Sequence, residues 1–146
     1  MRATISSKIQ HICVELASLG FECRVSSEEF SAYLEASTYE PEATHLEEVL
    51  GNRYLLIHEL VEITLLKKKG YVIDKDVVRR AYPYTYEAHL EAMDVELRVA
   101  LREGDKAWVE RRVRDLRSYL EDPFLPSNLM GRVKRLIEKY MFASEG

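Results

Sequence analysis

Apolar residues recur at three- and four-residue intervals along most of this 146-residue chain, helix-capping residues precede several of those runs, and no strand-like alternation persists. Together these predict an all-α fold: one domain over residues 1–146, a bundle of about six or seven largely antiparallel helices. Hydrophobic residues make up 47% and charged residues 32%, a globular rather than a disordered balance. A chain of this length buries a core without metal or disulfide staples.

Ile5, Ile9, Ile12, Leu16 and Leu19 define the first helical stripe. Gly20 stands where a left-handed C-terminal cap belongs, and Phe21 follows to pack back. Phe21 to Val25 is short enough to run extended. Ser26 with Glu29 forms a capping box for a helix over about Ser27 to Ala36, and Thr44 with Glu47 repeats that signal. Gly51-Asn52 interrupts. A long helix then runs from Arg53 to Lys69, with cations in its last turn and Gly70 beyond it to complement the exposed carbonyls. Asp74 caps a short helix to about Ala81, ended by Pro83. Thr85 to Arg102 forms a second long helix stopped by Gly104. Asp105 caps a third, to Leu120, and Asn128 caps the last, to Phe142.

The Arg53–Lys69 helix is apolar nearly all round, which predicts a central position. Yet it carries His58, Glu59 and Glu62. Carboxylates are rarely buried unless they are paired or bind metal, so these groups need partners. One outcome is a buried polar network tied to Arg or Tyr from other helices. The other is a metal or catalytic site. The next long helix offers Glu91 and Asp94, three apart and therefore neighbours on one surface. His89 lies on its other flank and reads as a boundary histidine. Four converging carboxylates repel one another, and Mg²⁺ or Mn²⁺ would relieve that repulsion with oxygen ligands. The metal set is then Glu59, Glu62, Glu91 and Asp94, with His58 beside it.

Glu59-Leu-Val-Glu62 and Glu91-Ala-Met-Asp94 form ExxE followed by ExxD, separated by 28 residues. Over Leu46 to Leu101 this resembles the all-α nucleoside triphosphate pyrophosphatases, the MazG and dimeric dUTPase group. The resemblance implies a metal-dependent phosphohydrolase that converts a nucleoside triphosphate to monophosphate and pyrophosphate. The carboxylates would hold Mg²⁺, Glu59 and Glu62 would be catalytic, and Glu59 would orient the attacking water. Lys67, Lys68, Arg79 and Arg98 would be candidate phosphate contacts. The run Leu55-Leu56-Ile57-His58-Glu59-Leu60-Val61-Glu62 also looks like the metal-binding core of HD-domain phosphohydrolases. That resemblance implies His58, Glu59 and Asp94 as ligands, with His11 or His45 upstream. His58-Glu59-Leu-Val-Glu62 departs from the HExxH of zinc proteases, since Glu62 stands where the second His belongs. A third reading, from another class, is a non-catalytic helical protein that uses its bundle for self-association or partner binding.

The net charge of −4 argues against a dedicated nucleic-acid binder. The implied partner is a small phosphate or nucleotide, together with a further copy of the chain if it forms a homo-oligomer. No segment is apolar and long enough for a membrane span. Cys13 and Cys23 fit neither a disulfide framework nor zinc-ligand spacing, so reduced thiols and a cytoplasmic location are expected. Arg111, Arg112, Arg114 and Arg117, interleaved with Glu110 and Asp115, read as a salt-bridged solvent face. Tyr82, Tyr84 and Tyr86 read as packing at a helix start rather than as a nucleobase platform.

Overall fold

The computed structural model describes residues 2–36 and 46–145, and within them the all-α prediction holds. The order is α1 (Arg2–Ser18), α2 (Ser27–Ala36), α3 (Leu46–Leu50), α4 (Arg53–Lys68), α5 (Val77–Ala81), α6 (Tyr84–Arg102), α7 (Lys106–Tyr119), a 3-10 turn (Ser127–Leu129) and α8 (Met130–Glu145). No strand occurs among the described residues.

The helix ends follow local chemistry. Gly20 adopts φ +92°, and the chain closes α1 with the Phe21 amide donating to the Leu16 carbonyl at 3.0 Å. The capping box is complete. The Ser26 amide donates to Glu29 Oε1, and the Glu29 amide donates to Ser26 Oγ, both at 3.0 Å. Asn52 Oδ1 accepts from the Tyr54 and Leu55 amides at 3.0 and 3.1 Å, which separates α4 from α3. Asp105 caps α7 through the Trp108 amide at 3.0 Å.

Two starts differ from expectation. The Asp74 carboxylate is taken up by the Asp76 amide at 2.9 Å and by Arg80 at 3.0 Å, so the short helix begins only at Val77. The last helix is entered through the 3-10 turn, with the Leu129 amide donating to the Pro126 carbonyl, rather than from a cap at Asn128. Thr44, the other expected cap, lies outside the described residues.

The cysteine reading is corrected: Cys13 and Cys23 form a disulfide. After Gly20 the chain turns back along α1, and this brings their Cα atoms to 5.0 Å. Spacing in sequence did not expose a pairing that depends on that reversal. No described helix is long and apolar enough to cross a membrane.

Helix α4 is central, as its all-round apolar surface predicts. Residues from Leu55 to Thr64 are buried without a break, and Leu66 follows. One core gathers α1, α2, α4 and α5, and a second gathers α7 and α8. Helix α6 lines both, giving Ala92, Val95 and Val99 to the first and Leu90, Met93 and Leu97 to the second. Side-chain pairs fix the helix directions. Arg53 meets Glu103 at one end of the α4–α6 pair, and Glu62 meets His89 at the other, so these helices are antiparallel. His89 with Tyr119 and Glu96 with Trp108 make α6 and α7 antiparallel too. The site is therefore built where α4 and α6 face each other and α7 closes over them.

Candidate functional site

Helical spacing decides which side chains meet. His58 and Glu62 are four apart on α4, so they stack on one face. His89 and Glu96 are seven apart on α6, two turns along its α4-facing side. The four form a continuous cluster. Glu62 Oε2 lies 2.5 Å from His58 Nε2 and 2.6 Å from His89 Nδ1, and those two ring nitrogens are 3.0 Å apart. His58 Nδ1 donates to Glu96 Oε1 at 2.9 Å, and His89 Nε2 meets the Tyr119 hydroxyl at 2.8 Å.

An outer layer holds these groups. The Tyr33 hydroxyl, from α2, donates to Glu62 Oε1. From α7, Arg112 grips Glu96 with two donors, Nε to Oε2 at 2.9 Å and a terminal nitrogen to Oε1 at 3.0 Å, and the Trp108 indole donates to Oε2 at 2.6 Å. Arg112 also reaches Asp115 at 3.2 Å. The inner groups are sealed: His58 and Glu96 are 0% exposed, Glu62 and His89 5%.

The electrostatics are those of a buried, paired network. Burial disfavours the His58 imidazolium, but Glu62 and then Glu96 outweigh it and hold the ring protonated well above the ordinary histidine range. Burial pushes the Glu62 carboxyl up, but the charges of His58 and His89 override it and keep Glu62 far below the carboxylate range. Glu96 follows the same logic, with Arg112 as its main counter-charge, and is pushed down to about 2.

The sequence-derived site residues divide sharply. His58 and Glu62 sit at the centre of the cluster. Glu59 is buried on the same helix, 2% exposed. Glu91 and Asp94 are not brought to it. They point toward α8, where Arg132 contacts Glu91 at 2.5 Å, Lys139 contacts Asp94 at 2.9 Å, and the Tyr140 hydroxyl donates to Asp94. The reason is angular: Asp94 lies five residues from His89 and two from Glu96, on the other side of α6 from both. Four carboxylates therefore do not assemble around one ion, nor do His58, Glu59 and Asp94. His11 is exposed on α1, and His45 lies outside the described residues.

Lys67 is more than a solvated terminal cation, since it bonds Glu29 at 3.0 Å and the Arg24 carbonyl. Arg79 and Arg98 pair with Asp76 and Asp94. Tyr86 is buried with its hydroxyl on Asp122 at 2.8 Å, and Tyr84 stacks on Tyr71, the packing role expected of these rings.

Sequence reasoning missed His89, Glu96, Arg112, Trp108, Tyr119 and Tyr33 as members of the site. Signals existed for three of them. Arg112 shares the buried stripe Val109, Val113 and Leu116 of α7, and it is 4% exposed rather than on the solvent face. His89 and Glu96 share the register of Met93 and Ala100 on α6.

As a donor set, His58 Nε2, Glu62 Oε2 and His89 Nδ1 come from three groups whose ligand atoms all lie within 4.8 Å of one another. Two imidazoles and one carboxylate suit zinc, manganese or iron better than magnesium, which takes oxygen ligands. The 2.5–3.0 Å separations are those of hydrogen bonds, so protons hold the donors together in this form. A cation would take the place of those protons.

Fold and site together define an all-α protein with a buried two-histidine, one-carboxylate centre. The chain matches no family model, no curated protein and no solved structure.

Proposed function

We propose that this chain is a metal-dependent hydrolase whose centre is His58, Glu62 and His89, binding one divalent transition ion. One observation carries the reading. Three donor atoms converge while the outer nitrogen of each histidine is occupied, His58 by Glu96 and His89 by Tyr119. That outer layer is what fixes ring orientation and tautomer in metal sites. Three protein donors leave a fourth position for water, the pattern of catalytic rather than structural zinc. Such an ion lowers the pKa of its bound water and supplies a nucleophile. Glu59, buried on α4 and three residues from Glu62, is the candidate base.

The substrate class is a phosphate ester or nucleotide, on the strength of the ExxE and ExxD resemblance. Magnesium held by all four carboxylates is less well supported, because Glu91 and Asp94 are engaged by α8 cations. The cytoplasmic location has the Cys13–Cys23 disulfide against it, since such bonds persist mainly in oxidising compartments.

A second reading has its own observation. The cluster is sealed, and cavities of about 570 and 500 Å³ open elsewhere, one lined by Lys75, Arg79, Tyr82 and Phe124, the other by Arg24, Leu65 and Lys68. A buried polar network in a non-catalytic helical protein fits that fact.

The test is elemental analysis and calorimetric titration of the purified chain with Zn²⁺, Mn²⁺ and Mg²⁺. It is followed by phosphate and pyrophosphate release from a nucleotide panel. Stoichiometric binding of a transition ion that is lost in His89→Ala, with metal-dependent turnover, supports the hydrolase. Binding without turnover favours the structural reading, and no binding removes the metal centre altogether.

A further inference from the structure

We propose that Glu96 is the positioning residue of this centre: it selects the His58 tautomer that points a lone pair at the metal position, and Arg112 and Trp108 of α7 hold it in that task. The inference rests on the metal reading above.

A neutral imidazole carries one proton and one lone pair. To bind a cation through Nε2, His58 must keep its proton on Nδ1. Glu96 Oε1 sits 2.9 Å from Nδ1, and an ionised carboxylate only accepts, so it fixes the proton there. Its other interactions keep it ionised and immobile. Arg112 bonds both carboxylate oxygens and the Trp108 indole caps Oε2, in a site where Glu96 itself is 0% exposed. Asp105 anchors Trp108 by capping α7 through the Trp108 amide. The seating of α7 is thereby linked to the orientation of a ring that belongs to α4. Glu62 is held in a comparable way. Tyr33 occupies its Oε1 and leaves Oε2 alone to face the two histidines, so the carboxylate offers one donor rather than two.

The substitution Glu96→Gln tests the tautomer directly. Gln keeps an oxygen for Arg112 and Trp108 but can present an amide N–H to His58. Nδ1 must then accept, and the proton moves to Nε2, where it blocks the metal. The expected result is a loss of roughly 10–100-fold in Zn²⁺ affinity. The same variant should show His58 protonated on Nε2 in a long-range ¹H–¹⁵N spectrum, while the zinc-loaded wild type is protonated on Nδ1. A variant that binds Zn²⁺ as tightly as wild type overturns the proposal. If Glu96→Gln fails to fold, the spectrum of the zinc-loaded wild type decides alone: metal on His58 Nδ1 overturns it. If the wild type binds no metal, the failure belongs to the metal reading itself, and this role of Glu96 falls with it.

Discussion

His58 and His89, on neighbouring antiparallel helices, meet with Nε2 and Nδ1 3.0 Å apart, ring centroids 4.6 Å apart and planes inclined by 66°. Two imidazoles so close inside a protein need a shared partner, and Glu62 Oε2 provides it by lying within 2.6 Å of both nitrogens. The meeting follows from the antiparallel crossing of α4 and α6, which brings residues 58 and 62 opposite 96 and 89.

Replacing His89 by Ala should abolish transition-metal binding and leave Tyr119 and Glu62 each short of a buried partner. The stability cost should be about 2–4 kcal/mol, above a neutral surface change. Urea unfolding of the metal-free variant measures it. A loss under ~0.5 kcal/mol would mean that the network contributes little to the fold.

Arg112→Met removes the main counter-charge of a fully buried carboxylate. Breaking one side of a buried ion pair costs about 3–5 kcal/mol, so this single change should rank among the most damaging on α7. Arg111→Met, on the outer face of the same helix, should fall within ~0.5 kcal/mol of wild type. Equal effects in denaturant melts would show that Arg112 is no more buried in solution than its neighbour.

The ionisable cluster predicts a direction in pH. Glu62 and Glu96 titrate below their ordinary 4.5 in the folded chain. Their contribution is therefore present above about pH 4.5 and is lost as pH falls toward their folded values. His58 is raised above 6.5, so its contribution is present below that value and is lost as pH rises through its higher folded one. Metal-free protein should resist denaturant best between these limits. A midpoint that stays flat from pH 6 to pH 3 would contradict the pairing.

Glu91→Ala and Asp94→Ala separate the two origins of the metal idea. Both residues are partly exposed and paired with α8, so each change should cost about 1 kcal/mol or less and leave transition-metal affinity intact. Loss of metal in Glu91→Ala would instead restore the four-carboxylate arrangement suggested by ExxE and ExxD.

The fold was legible because its signals are local. Ser26 and Glu29, Asn52, Asp105 and Gly20 all do in space what their neighbours in sequence imply. The all-round apolar surface of Arg53–Lys69 likewise announced a central helix holding His58 and Glu62. The partners were illegible for a physical reason: Tyr33, Tyr119 and Trp108 reach the cluster from other helices, and nothing in their own segments marks that direction. Arg112 was hidden by its company, since Arg111, Arg114 and Arg117 make the run look solvated. Glu91 and Asp94 misled because spacing along one helix fixes which residues share a face, not which neighbouring helix that face meets. The disulfide was missed on the same ground, since it depends on the reversal at Gly20.

The central claim is that His58, Glu62 and His89 form one metal centre. Titration of metal-free protein with Co²⁺, followed by its visible ligand-field absorption, tests it most directly. One ion per chain with the strong bands of low-coordinate cobalt, abolished in His58→Ala and His89→Ala and unchanged in Glu91→Ala, is the result expected. Absence of binding, or binding that survives His89→Ala and vanishes in Glu91→Ala, would contradict it.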